Sequence, residues 1–212
     1  MSILDKVVAA VTPPESEEQR ADARAKARNV ATDGDWLSLV LDHHTQIEAA
    51  FDAVKAATDA SSRIGAQRRL ALLLTGHSIA EEVVIYPALA KANEQSHSTK
   101  AYTEQAAAKV QMALLEDLEP MSQEYLDKLE HIQGAVAHHV YEEESKWFVE
   151  LKAKLRPADQ TKIAFRYQQE FLRYTRDSED AADDSIPPEL SGSRASVRNH
   201  GRQGTKLKPL VK

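Results

Sequence analysis

The chain of 212 residues contains no cysteine. Disulfides, thiolate metal sites and cysteine nucleophiles are therefore all excluded, and any metal must be held by nitrogen and oxygen donors. Turn-forming residues are scarce, with 7 glycines and 8 prolines. Mean hydropathy is only −0.50 although 42% of residues are hydrophobic, a balance that favours long amphipathic helices over strands. No run approaches the roughly 18–20 apolar residues of a membrane span. The longest apolar run near the start, Val7 to Val11, follows Asp5 and Lys6, unlike a secretory leader. A cytoplasmic protein without a membrane partner is expected. The formal net charge of −6 argues against nucleic acid as a partner.

What is present is helical periodicity. Residues 2–11 fit a short amphipathic helix, and after "TPPESEE" a charged, alanine-rich helix runs to about Asn29. That second helix has almost no large apolar residue, so a solvated, marginal element is expected. After "TDGD", Leu37, Val40, Leu41, Ile47, Phe51 and Val54 mark the apolar stripe of a first core helix. A break is expected at 61–65. Further helices are expected over about 66–93, 97–119, 122–156 and 158–175, the last with Ile163, Tyr167, Phe171 and Tyr174 at spacings of three and four. The fold class is all-α: an antiparallel up-down four-helix bundle with extra N-terminal and C-terminal helices. The expected division is an N-terminal helical extension over 1–33, the bundle with its fifth helix over 34–175, and a disordered charged tail over 176–212.

Two stretches echo each other. "HSIAEEVVIYPAL" at 77–89 and "HVYEEESKWFVEL" at 139–151 both read His-x-x-x-Glu-Glu-x-x-x-aromatic-x-x-Leu. Leu70, Leu73, His77, Glu81 and Val84 share one stripe, as do Ile132, Val136, His139, Glu143 and Trp147, so each His–Glu pair faces inward. One inward histidine is commonly just a hydrogen-bonded core residue. Two buried carboxylates are different, because each costs several kcal/mol unless compensated, and no Lys or Arg lies on those stripes. A metal ion would compensate them. His44 also points inward, between Val40 and Ile47, whereas His43 is rotated by about 100° to the flank. His97, His131, His138 and His200 fit non-ligand positions. Glu82, Glu142 and Glu144 are expected to be solvated or to support the ligands from behind.

The segments "LVLDHHTQIEAAF", "HSIAEEVVIYPAL" and "HHVYEEESKWF" resemble the signatures of the hemerythrin-like HHE cation-binding family, over roughly residues 36–155. The resemblance implies a four-helix bundle around a non-haem di-iron centre. Carried over by position, it makes His44, His77, Glu81, His139 and Glu143 the metal ligands, with the two glutamates bridging. Family members commonly carry a further histidine on the third helix. This chain has Gln105 there, in "EQAAAKVQMALL", with Tyr102 one turn earlier on the same face. An amide is a poorer iron ligand than an imidazole, so one ion position is expected to be weaker. The cofactor expected is iron, as one or two non-haem ions, with zinc or manganese also compatible with the donors. An open coordination position in an apolar bundle suits a small diatomic ligand or peroxide. The function expected is binding or sensing of O2, NO or peroxide, or iron handling under oxidative stress, and more a binding protein than an enzyme. Tyr86, Trp147 and Tyr141 are aromatics near the centre. The alternative is a helical interaction scaffold whose metal is structural or lost.

Overall fold

In the computed structural model the described residues are 15–92 and 94–183, with 176–183 described by backbone alone. They are all-helical, with no strand among them. Helix α1 spans Glu17–Val30 and α2 spans Trp36–Ala56. Helix α3, Ala60–Ala80, passes without interruption through a π-helical turn, π1 (Glu81–Ile85), into α4 (Tyr86–Lys91). Helix α5 covers Gln95–Glu116. The next element repeats the earlier plan: α6 (Gln123–Glu142), π2 (Glu143–Trp147) and α7 (Phe148–Lys154). Helix α8 spans Pro157–Asp183. The helix expected at 2–11 lies outside the described residues, as does the part beyond Asp183 of the tail expected over 176–212. No described helix is long and apolar enough to cross a membrane.

Helix starts follow their capping residues. The side chains of Ser16, Asp35, Asp59 and Ser122 each accept a hydrogen bond from the amide three residues on. Asp59 explains why the break expected at 61–65 is absent. It caps α3 at Ala60, so Ser61, Ser62, Arg63, Ile64 and Gly65 form its first turns. Arg63, 5% exposed, then ties the connections together by donating to the carbonyls of Val54, Ala57 and Pro120.

Helix α1 departs from expectation. It packs on π2, α2, α6 and α7 rather than standing in solvent. Ala23 and Ala27, buried and one turn apart, supply a small face that allows close approach. Arg24 and Arg28 reach over that face to Glu48, Glu144 and Asp42.

Two apolar clusters form the core. One gathers Trp36, Leu37, Leu41, Tyr86, Trp147 and Phe148. The other gathers Ile47, Phe51, Leu70, Leu115, Tyr125 and Leu129. Along α2, His44 falls between Leu41 of the first and Ile47 of the second, so a polar centre is held between two apolar clusters.

Candidate metal centre

The echo in the sequence is an echo in the backbone. Each π turn begins at the inward glutamate, whose carbonyl accepts from the amide five residues later: Tyr86 to Glu81, and Phe148 to Glu143. Single π turns inside α-helices recur at functional sites because they re-aim the following side chains. Here the wide turn brings residue 86 back above residue 81. The Tyr86 hydroxyl reaches Glu81 Oε2 at 3.0 Å and Glu143 Oε1 at 2.9 Å. Its counterpart Phe148 has no hydroxyl and packs edge-on against Trp36 instead. The repeat is therefore symmetric in backbone and asymmetric in chemistry.

His44, His77, Glu81 and Glu143 are all buried and offer one ligand atom each within a 4.8 Å group. His44 Nε2 lies 3.4 Å from Glu143 Oε2 and 3.9 Å from Glu81 Oε1. None of these three atoms has a hydrogen-bond partner. Buried polar atoms are paired in the great majority of cases, and three orphans facing one another need a common partner. Ligands about 2.1 Å from one ion sit roughly 3–4 Å apart, so the observed spacing fits a shared cation. His77 Nε2 completes the group, 3.2 Å from Glu81 Oε2. His139 stands on the far side of the Tyr86 hydroxyl, with Nε2 3.1 Å from it and 3.2 Å from Glu143 Oε1. Gln105 Nε2 donates to Glu81 Oε2 at 2.6 Å and to the Tyr86 hydroxyl at 2.5 Å. Tyr102 is on the outside, donating to the Glu82 carbonyl.

Every inward histidine is held from behind through Nδ1. His44 Nδ1 meets Glu144 at 2.8 Å and His139 Nδ1 meets Glu104 at 2.9 Å. A carboxylate only accepts, so both rings carry Nδ1–H and turn Nε2 inward, the usual arrangement of metal-binding imidazoles. His77 Nδ1 meets the Tyr167 hydroxyl at 3.0 Å, which also meets His43 Nδ1 at 2.8 Å. Phe171 stacks on His43, with ring centroids 3.7 Å apart. Helix α8 thus braces the centre through Tyr167, while His43 stays in the brace and His44 in the centre.

Glu144 is not a solvated flank. It is 1% exposed and joins His44 to the guanidinium of Arg24, which continues to Glu48. Its counterpart Glu82 pairs with Lys109 at a more open position, as expected. The alanine face of α1 was the one available signal for this contact.

The ionisable groups divide sharply. Burial and the neighbouring Glu143 push Glu81 up to about 7. Burial also acts to raise Glu143, but the adjacent His139 and His44 outweigh it and hold it below the carboxylate range. Burial works against charge on His139, yet Glu143 and Glu104 outweigh it and bring it to about 10. His44 is likewise raised, because Glu143, Glu144 and Glu81 outweigh its burial. His77 is driven well below its ordinary value by burial and then by His44 and His43. Without a cation, protons on His44 and His139 balance the carboxylates. A cation taken up by these donors would displace those protons.

A family description, hemerythrin HHE cation binding domain, matches residues 37–151. The chain belongs to the hemerythrin HHE cation-binding family. Membership implies metal binding, and the buried His/Glu group of this hemerythrin-like chain fits a metal site. No curated protein and no solved structure matches the chain. Two other acidic groups with a histidine, around His97 and His138, are only half-buried; Glu94 of the first is paired with Lys154, and Glu104 and Glu142 of the second with Lys100.

Proposed function

We propose that this is a non-haem iron protein that binds or senses a small oxygen- or nitrogen-based ligand (O2, NO or peroxide), with one ion held tightly by His44, His77, Glu81 and Glu143. The observation that carries the reading is the convergence of three unpartnered ligand atoms between two apolar clusters. A scaffold with no use for a cation gains nothing from turning three unpaired polar atoms toward one another in its interior, where protons on His44 and His139 have to offset the buried carboxylates. Imidazole and carboxylate donors without thiolate suit iron and manganese, and tolerate zinc. Short connections between successive core helices support an antiparallel up-down bundle of α2, α3–α4, α5 and α6–α7. A cytoplasmic setting without nucleic-acid partners belongs to the same reading.

A second ion would need the space between Glu81 Oε2, Glu143 Oε1 and His139 Nε2. The Tyr86 hydroxyl stands there, and Gln105 offers an amide. We therefore assign one strong position and one weak position.

Iron bound at the strong position would supply redox capacity and a place for a diatomic ligand to attach. The residues do the rest. Glu144 and Tyr167 fix the ring planes of His44 and His77. Burial and the charges of Glu143 and Glu81 hold the Tyr86 phenol well above its ordinary value, so it keeps its proton at Oη. Gln105 Nε2 points a second donor at the same spot. A small ligand arriving there would sit beside the Tyr86 hydroxyl and the Gln105 amide, next to the two apolar clusters. Anaerobic iron loading followed by titration with NO tests this. Saturable change in visible absorption at one equivalent per chain is expected, and no change on NO or air exposure would refute it.

A further inference from the structure

Beside the centre lies a cavity of about 200 Å³. It runs between α3, α5 and α6 and is walled by Ile47, Leu74, Ala108, Met112, Val136 and Val140. Along α5 its lining extends from Glu104 to Glu116, about 18 Å of helix at 1.5 Å rise per residue. The cavity is polarised from end to end. His77, Ser78, Gln105 and His139 line it next to the centre, and the exposed Lys109, Ala113 and Glu116 line the other end. At the inner end Ser78 Oγ and Gln105 Oε1 are buried and have no hydrogen-bond partner. A diatomic molecule needs nothing this large: an apolar cavity of about 150 Å³ already takes benzene.

We propose that this cavity binds a straight-chain, uncharged alkyl compound of about six to eight carbons with a hydroxyl or carbonyl head, its head toward Ser78 and Gln105. The length along α5 selects a chain over a bulky ring. The wall supplies apolar contact for the chain. Ser78 and Gln105 supply the polar partners the head needs, and the head supplies the partners they lack. The head is neutral because Glu81, Glu104 and Glu143 surround that end, and a carboxylate buried among them would go uncompensated. Such a ligand would lie against His77 and His139, so the size of the molecule admitted to the centre would be set by this chain's own α5 and α6.

Binding is tested apart from the metal, by titrating 1-alkanols into the metal-free and the iron-loaded chain while following methionine methyl resonances. The chain has three methionines. Met112 lines the cavity and the exposed Met121 serves as an internal control. A saturable shift confined to Met112 is expected, at one alkanol per chain. Affinity should rise about fourfold per added methylene from 1-butanol through 1-hexanol and level off by about 1-octanol. Hexanoate should bind at least tenfold more weakly than 1-hexanol. Ala108→Leu, or Ala71→Leu should the first fail to fold, fills the cavity and should abolish the shift. A Met112 shift that never saturates, that survives filling, or that hexanoate reproduces at equal concentration would overturn the proposal. An alkanol that binds a chain unable to hold iron would instead refute the metal reading and leave the cavity standing.

Discussion

Replacing Glu144 with alanine removes the acceptor of His44 Nδ1, at 2.8 Å, and one of the two carboxylates on Arg24. His44 is fully buried, so its Nδ1–H has no water to turn to, and an orphaned buried donor costs about 1–3 kcal/mol. Breaking a buried ion pair from one side costs about 3–5 kcal/mol. The lower end applies, because Arg24 keeps Glu48 at 2.6 Å and its side chain is 23% exposed. We expect a loss of about 3 kcal/mol for Glu144→Ala in urea unfolding of the metal-free protein. Glu82→Ala at the matching position of the repeat removes only an exposed pair with Lys109, worth about 0.5 kcal/mol. Metal affinity should also fall about 10–100-fold for Glu144→Ala, since a freed imidazole ring loses its orientation, and chelator competition reads this directly. Glu144→Gln, which keeps an acceptor oxygen, should recover part of both losses. Equal, mild effects of Glu144→Ala and Glu82→Ala would refute the relay from Arg24 to His44.

Gln105→His should strengthen the weak ion position and raise iron occupancy from one toward two per chain, whereas Gln105→Leu should leave the tight ion in place; identical stoichiometry and chelator off-rates in all three proteins would remove Gln105 from the site. Tyr167→Phe deletes the hydroxyl shared by His43 and His77, and should cost about 1–3 kcal/mol of stability and roughly tenfold in metal affinity. A Tyr167→Phe protein that melts and binds metal like the parent would show that α8 does not brace the centre. Burial works against charge on Asp35, but Lys152 and the amides of Ser38 and Thr32 outweigh it and hold the carboxyl below its ordinary value of 3.8. A depressed carboxyl stabilises fully above its unfolded value and loses that contribution as pH falls through its folded value. The melting-temperature gap between the parent and Asp35→Asn should therefore be constant near neutrality and close below about pH 4; a gap that persists in acid would contradict the pairing with Lys152.

Spacing alone carried the sequence reading a long way. The three-and-four pattern turned His44, His77, Glu81, His139 and Glu143 inward, and the structure gathers all of them except His139 into one group. The same pattern is blind to a turn closed five residues apart, so π1 and π2 were not legible. With them went the path of the Tyr86 hydroxyl into the space before His139. Large apolar residues mark a buried helix, and α1 has only Val30, which is exposed. The alanines of α1 dock it closely and leave the polar work to Arg24, so of the two places open to Glu144, in solvent or behind a ligand, the structure takes the second. The serines and glycine after Asp59 read as a break, because the cap that makes them a first turn depends on the backbone at Asp59. Tyr167 was visible on an apolar stripe, whereas its hydrogen bonds to His43 and His77 depend on how α8 returns against α2 and α3, which no local pattern encodes.

The central claim, that His44, His77, Glu81 and Glu143 converge on a cation, is tested most directly by elemental analysis after anaerobic reconstitution with iron and exhaustive chelator dialysis. The account predicts about one iron per chain retained. It predicts near-zero retention in Glu81→Ala and Glu143→Ala, and a larger loss for His44→Ala than for His43→Ala. Negligible iron, manganese and zinc in the reconstituted parent, or retention unaffected by both glutamate substitutions, would contradict it.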